Sequence, residues 1–300
     1  MQATELNMKR VERVVRFALK EDVWTGDITS ESILNRSLKV DAVILARDPG
    51  VICGVEIAER AFSVVDPDTR FKPLVEDGNH VEPDREVAFV EGNARSILRA
   101  ERVVLNFLSH LSGISTNTRR MVDAVEGTKT EIYDTRKTMP LHRYMQKYAV
   151  TVGGGVNHRW GLWDMVLIKD NHLRAFGMQT KSVNNENIIR NAVKQARNAI
   201  QKNIRIEIEV ETVKECEYAL TEKPEVIMLD NMSPVAVKKA VELRKKMGLE
   251  KQVLLEISGG ITLDNVRDYA EAGADIISSG SLTSSVDSLD FSLEIILKNA

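Results

Sequence analysis

Two short stretches of this 300-residue chain carry side chains suited to holding anions. Asp134-Thr135-Arg136-Lys137-Thr138 directly follows the short run Glu131–Tyr133, and Lys169-Asp170-Asn171-His172 directly follows Met165–Ile168. Between Asp134 and Arg174 the bases are Arg136, Lys137, His142, Arg143, Lys147, His158, Arg159, Lys169, His172 and Arg174. The acids there are only Asp134, Asp164 and Asp170. Guanidinium forks match carboxylates and phosphates bidentately, so this segregation of charge points to a small polyanionic ligand. Glu209 and Asp230 supply the opposite sign, as a Mg²⁺ ion or ribose hydroxyls would require. Ser258-Gly259-Gly260 and Gly280-Ser281 offer bare backbone N–H groups to a phosphate, and Gly153-Gly154-Gly155 lets the backbone bring Asn157-His158-Arg159 close.

Each feature has a plainer alternative. Arg143, Lys147 and Arg174 could lie on solvated helix faces. Glu207 and Glu209 share one face of a strand by their period of two, and either could be a core salt bridge. Gly259-Gly260 could be a turn before a helix. Neither Cys53 nor Cys216 has a basic sequence context that would favour a reactive thiolate, so both read as structural.

The positioning elements follow from periodicity. Val11, Val14, Val15, Ala18 and Leu19 mark a helix with one buried stripe, and a long helix fits Ala94 to about Leu111. Val40–Ala46 and Glu86–Glu91 read as strands. From Glu131 onward six short apolar runs recur: Glu131–Tyr133, Met165–Ile168, Ile204–Val210, Val226–Leu229, Val253–Ile257 and Asp275–Ile277. Helical stretches separate the later ones, at Asn185–Gln201, Val213–Leu220, Pro234–Met247 and Leu263–Ala272. That rhythm implies βαβ units and a parallel sheet. Six strands are fewer than the eight of a full β/α barrel, so an incomplete barrel is expected. The polar groups cluster after the strands, and in such a barrel all strand ends open onto one face.

Composition removes several classes. Hydrophobic residues make up 43% and charged residues 28%, which excludes disordered and fibrous chains. Lys and Arg number 41 against 44 Asp and Glu, and a net charge of −3 gives no global attraction to nucleic acid or anionic membrane. Two distant cysteines fit a reducing compartment rather than a disulfide scaffold. With charges early in MQATELNMKRVERVV and no long apolar run, a soluble cytoplasmic protein is expected, with no membrane partner. Gly-x-Gly-x-x-Gly, Walker A, Gly-x-Ser-x-Gly and His-Glu-x-x-His motifs are absent.

Taken together these motifs resemble the quinolinate phosphoribosyltransferase family. The resemblance runs from Glu21-Asp22 and Gly26-Asp27-Ile28-Thr29 through Arg99-Ala100-Glu101-Arg102 and Leu111-Ser112-Gly113-Ile114. It is densest at Asp134–Thr138, Lys147-Tyr148-Ala149-Val150, Gly153–Arg159, Leu167–His172, Glu207–Glu211, Leu229-Asp230-Asn231, Ser258–Ile261 and Gly280–Thr283. It implies an N-terminal α/β sandwich, residues 1–115, and an open, incomplete α/β barrel, residues 116–282, with about 283–300 returning to the sandwich. It also implies a homodimer or larger assembly in which Arg102 reaches the partner's site. The implied reaction joins quinolinate to 5-phosphoribosyl-1-pyrophosphate with Mg²⁺, yielding nicotinate mononucleotide, pyrophosphate and CO₂. By the resemblance, Arg136, His158 and Arg159 bind quinolinate, and Lys137 and Lys169 are active-site lysines. Glu209 and Asp230 lie near ribose and metal. Ser258, Gly259, Gly260, Gly280, Ser281 and His172 form the 5-phosphate cradle.

The chain departs from the family pattern twice. Thr-Pro-Gly-Leu-Arg becomes Met139-Pro140-Leu141-His142-Arg143, which loses a glycine and adds an ionisable group. Leu-Thr-His-Ser becomes Leu282-Thr283-Ser284-Ser285. The competing readings are a family homologue associated with molybdate transport, a barrel lyase or aldolase using Lys137 or Lys169 as a Schiff base, and a non-catalytic binding protein. The first keeps the phosphoribosyl site but need not keep the quinolinate clamp, and the second predicts no dependence on a phosphoribosyl donor.

Overall fold

The computed structural model describes residues 5–297. In the N-terminal part, α1 (Met8–Val23), α2 (Ile28–Ile33), β1 (Lys39–Ala46), β2 (Gly50–Val51) and α3 (Val55–Val65) come first. They are followed by β3 (Arg70–Pro73), β4 (His80–Val81), β5 (Arg85–Asn93) and α4 (Ala94–Ala124). The long helix therefore runs well past Leu111, because Ile114, Met121 and other apolar residues continue its buried stripe.

Alternation then gives way to βα units. β6 (Glu131–Tyr133), α5 (Arg143–Val152), β7 (Val166–Ile168), α6 (Asp170–Thr180), α7 (Asn185–Ala199) and β8 (Ile206–Val210) come next. α8 (Val213–Glu222), β9 (Val226–Asp230), α9 (Pro234–Lys246), β10 (Leu254–Ser258), α10 (Val266–Glu271), β11 (Ile276–Ser278), α11 (Ser281–Ser284) and β12 (Phe291–Ile295) complete the chain.

The chain divides into two compact units. One takes the described residues through 119, together with 138–154 and those from 282 onward; the other takes 120–137 and 155–281. Residues 138–154, which include α5, thus group with the N-terminal segments. Residues 298–300 of the returning C-terminal stretch lie outside the described residues.

The first unit is built on an antiparallel sheet in the order β12-β1-β5-β3, with Ala42 opposite Ile295 and Val90. Its core includes Ile44, Ile57, Phe62, Ile97 and Leu108. Helix α3 starts at Gly54, whose φ of +106° suits a residue without Cβ. The Asp77 carboxylate accepts the Gly54 and Val55 N–H groups at 2.9 and 3.0 Å, capping that helix, and Tyr148 Oη donates to it at 2.9 Å. In the same unit Leu141, which stands where the family pattern has glycine, has a left-handed φ of +67° and is 81% exposed. His142 Nδ1 lies 3.0 Å from the Pro140 carbonyl. The loop therefore has a left-handed backbone at a non-glycine residue, at a cost in local strain.

The second unit holds a parallel six-stranded sheet in the order β6-β11-β10-β9-β8-β7. Strands β6 and β7, adjacent in sequence, are its two edges, so the barrel stays open between them. Val156 partly occupies the gap beside β6, forming a parallel bridge to Tyr133. The alternation in Ile206–Val210 turns Ile206, Ile208 and Val210 to one face and Glu207 and Glu209 to the other. Ser233 caps α9, accepting from the Ala236 N–H, with Pro234 in the first helical turn. Among the described residues no helix is long and apolar enough to cross a membrane.

Away from the strand ends, Arg244 on α9 is 2% exposed and pairs with Asp275. Its Nη1 also donates to the Val253 carbonyl at 2.8 Å. Burial alone would raise the pKa of Asp275, but Arg244, Lys129 and the Leu255 N–H outweigh it and hold the carboxyl below its usual value. A depressed carboxyl pKa stabilises the fold above the unfolded value near 4 and loses that contribution as pH falls through the lower folded value.

Asp275→Asn is expected to cost roughly 3–5 kcal/mol, because it strands a buried guanidinium; the destabilisation, read by urea unfolding, should shrink as pH is lowered below about 4. Leu141→Gly is expected to stabilise by up to about 1 kcal/mol, seen as a higher Tm, because it relieves the left-handed strain without removing buried surface.

Candidate active site

The C-terminal ends of the parallel strands surround a hollow of about 610 Å³ that lies wholly within the barrel unit. All six strands contribute. The loop after β6 brings Thr135, Arg136 and Lys137; β7 brings Leu167 and, at its end, Lys169; β8 brings Glu209. Strand β9 brings Met228, Asp230 and Asn231, β10 brings Ser258, Gly259 and Gly260, and β11 brings Ser278. His158 and Arg159, which follow the Val156 bridge, complete the lining.

The local chain explains how these groups are held. Asp134, with no exposed surface, accepts the His158 backbone N–H at 2.8 Å and the Asn157 Nδ2 at 2.8 Å. It acts as a latch that fixes the His158-Arg159 corner against the end of β6. The Arg159 backbone N–H donates to His158 Nδ1 at 2.8 Å, which leaves Nε2 as the nitrogen that carries a proton toward the floor of the hollow. That nitrogen faces two buried carboxylates, 3.1 Å from Glu207 Oε2 and 3.4 Å from Glu256 Oε2. Of the two readings open for Glu207 in the sequence, the salt-bridge geometry is the observed one. Burial, and then the Glu256 carboxylate, push Glu207 up to about 7, so near neutral pH the pair carries less than its formal two charges.

Above this floor the lining is cationic. Arg159 Nη1 donates to the Met165 carbonyl at 3.2 Å. Burial, and then Arg136 beside it, pull the Arg159 guanidinium below its usual pKa, though a guanidinium stays charged in any protein environment. Two like charges forced together out of water gain when an anion enters between them. Lys169 pairs with Glu209, whose side chain is 10% exposed. Asp230 Oδ2 accepts from Asn231 Nδ2 at 2.8 Å.

The glycine-rich end of β10 has the backbone that such a sequence permits. Gly259 and Gly260 have φ of +95° and +64°, and a Cβ on Gly259 would lie 2.2 Å from Asn231 Oδ1. Asn231 itself has a φ of +52° and donates its N–H to the Ser258 carbonyl at 2.9 Å. After β11, a Cβ on Gly280 would lie 2.6 Å from Lys137 Cδ, and Ser281 Oγ lies 2.7 Å from Ser279 Oγ.

The hollow thus gathers Arg136, Lys137, His158, Arg159, Lys169, Glu209, Asp230, Ser258, Gly259 and Gly260 of the residues singled out in the sequence. Gly280 adjoins it through Lys137, and Ser281 follows at the start of α11. His172 does not line it: its Nδ1 accepts the Lys169 N–H at 2.9 Å at the start of α6. Arg102 belongs to the other unit and is exposed on α4. Lys147 is buried in that unit rather than solvated. Leu167 and Met228 line the hollow without having been singled out; each precedes a polar site residue by two, and the period of a strand is the signal that finds them.

Residues 27–112 match the family Quinolinate phosphoribosyl transferase, N-terminal domain, and residues 114–294 match its C-terminal domain. The chain is 41% identical over 284 residues to the nicotinate-nucleotide pyrophosphorylase [carboxylating] of Mycobacterium leprae, covering 94% of this chain and 95% of that one. It is 37% identical to a probable nicotinate-nucleotide pyrophosphorylase [carboxylating] of Bacillus subtilis, covering 98% and 96%. The solved structure of the nicotinate-nucleotide pyrophosphorylase from Francisella tularensis superposes with a TM-score of 0.89 at 35% identity, covering 99% of each chain. NadC from Streptococcus pyogenes superposes at 0.88 and 34%, covering 98% of this chain and 99% of that one.

Gly259→Ala is expected to cost roughly 1–3 kcal/mol of stability, since it adds a left-handed φ penalty and a contact that Asn231 must yield to. Thermal melting with and without inorganic phosphate checks it, and the variant should also lose whatever stabilisation phosphate gives the parent.

Proposed function

The chain belongs to the quinolinate phosphoribosyltransferase family, and from that membership we propose how its hollow carries out transfer of a phosphoribosyl group to quinolinate in NAD biosynthesis. Arg136, Arg159 and His158 hold the two carboxylates of the pyridine diacid. The Ser258-Gly259-Gly260 turn, with Gly280-Ser281 beside it, receives the sugar 5-phosphate. The observation that carries this reading is the gathering of Arg136, Lys137, His158, Arg159 and Lys169 with the carboxylates of Glu209 and Asp230 in one cavity. A volume of about 610 Å³ lies within the range of ligand pockets and accommodates two small anionic substrates side by side.

The chemistry follows from those charges. As the pyridine nitrogen attacks C1 of the ribose, positive charge develops on the sugar and negative charge on departing pyrophosphate. The carboxylates of Glu209 and Asp230 stabilise the first, and Lys137 and Lys169 the second. The Lys169–Glu209 pair holds both partners in place before substrate arrives. After transfer, the bond from the ring carbon beside nitrogen to its carboxylate breaks and CO₂ leaves. The electron pair left on that carbon is stabilised by the adjacent pyridinium and the surrounding cations before a proton replaces the carboxylate.

Glu209 and Asp230 are hard oxygen donors at the edge of the hollow, the type Mg²⁺ takes together with substrate phosphates. They fit that ion, directly or through water, and it would supply charge neutralisation on pyrophosphate. A homodimer completes the proposal, with Arg102 of one copy serving the site of the other. Arg102 is exposed on α4, and Trp24 and Ile28 of the same unit are 75% and 81% exposed, which supports a protein-covered face there.

Purified protein should form nicotinate mononucleotide only when quinolinate, phosphoribosyl pyrophosphate and Mg²⁺ are all present. Product without the phosphoribosyl donor, or none with the complete mixture, would overturn the reading. Arg136→Ala is expected to lower kcat/KM by roughly 3–5 kcal/mol, because a desolvated carboxylate loses its partner. An unchanged kcat/KM would remove Arg136 from the acid site.

A further inference from the structure

The two carboxylates beneath His158 are not accounted for by the reaction. Glu207 and Glu256 are 0% and 1% exposed, and neither lines the hollow. Apart from His158 Nε2, 3.1 Å from Glu207 Oε2, no donor bonds either oxygen of Glu207, nor Oε1 of Glu256. Both sit in mid-strand positions: Glu207 is paired in register with Leu167, Glu256 with Met228, and Leu167 and Met228 form part of the floor. A pair of acids so poorly satisfied is costly, and apolar side chains of similar size would fill that layer more stably. The group within hydrogen-bond reach of both acids is the Nε2 of His158.

We propose that Glu207 and Glu256 are positioning residues for the pyridine diacid, acting through His158. Between them they hold the Nε2–H edge of the ring. The opposite edge is held by the Arg159 N–H at 2.8 Å, and Tyr133 meets the ring nearly edge-on, 6.3 Å between centroids at 84°. The imidazole is thereby fixed on three sides, with its remaining surface on the hollow. Because Arg159 is hydrogen-bonded to that same ring through its backbone, an imidazole free to turn would also release the Arg159 corner. Stability is given up in the floor so that the two groups facing the acid keep one orientation.

This inference rests on the proposed quinolinate activity, and its test separates the two. Glu207→Gln and Glu256→Gln, made singly in the full-length chain, are each expected to raise the quinolinate KM about 10- to 100-fold, as loss of a group orienting a ligand-binding histidine does. The KM for phosphoribosyl pyrophosphate should stay as in the parent. The Tm should be unchanged or higher, since each variant removes one member of a repelling pair. In a His158→Asn background either change should add no further loss, because the group it acts through is gone. A full additional loss in that background, a parallel rise in both KM values, or a lower Tm with both KM values unchanged would overturn the proposal. Each variant tests it alone. A parent enzyme inactive on quinolinate would instead overturn the functional reading itself.

Discussion

Crowding of positive charge at the open ends of parallel strands is the constraint on which this structure turns. Arg136 and Arg159 are close enough that burial and mutual repulsion lower the pKa of Arg159, yet neither can discharge. Such a cluster is tolerable only where a rigid frame holds it and counter-charge lies nearby. The frame is the six-stranded sheet, and the counter-charge comes in two layers: Glu209 and Asp230 at the hollow, Glu207 and Glu256 below it. An incoming dianion meets cations already assembled, so little reorganisation is left for the reaction to accomplish.

The period of two along each strand produces those layers. Residues facing the barrel interior recur at alternate positions, so Glu207 and Glu209, Met228 and Asp230, and Leu167 and Lys169 each place one member in the floor and one nearer the mouth. The opposite faces carry Ile206, Ile208 and Val210, or Ile227 and Leu229, which are buried. One strand thus serves core and site at once. The gap between β6 and β7 has a consequence of its own: Val156 bridges to β6 there, and the residues after it, His158 and Arg159, enter the hollow from the side.

Much of this was legible in the amino-acid sequence. The six apolar runs from Glu131 to Ile277 correspond to the six parallel strands, and the polar groups immediately after them line one cavity. Short buried strands with polar ends have few other arrangements open to them. Less legible were features set by distant contacts. The reach of α4 to Ala124 depends on its buried stripe continuing past Leu111. The burial of Lys147 and the capping position of His172 depend on surroundings no local window contains. Glu207 could be read from its spacing as either site or salt bridge, and only its neighbours Glu256 and His158, far apart in sequence, decide between them. At Leu141, where the family pattern has glycine, the backbone is left-handed and the residue is exposed, neither of which its sequence neighbours signal.

The cations of the hollow are suited to two adjacent carboxylates on one ring. Calorimetric titration of the intact protein with quinolinate and with nicotinate, which lacks the carboxylate beside the ring nitrogen, tests it most directly. Quinolinate is expected to bind at least about tenfold more tightly, and to weaken as salt is added, because removal of one carboxylate leaves a desolvated cation without its partner. Equal affinity for the two acids would show that the hollow has no place for the second carboxylate.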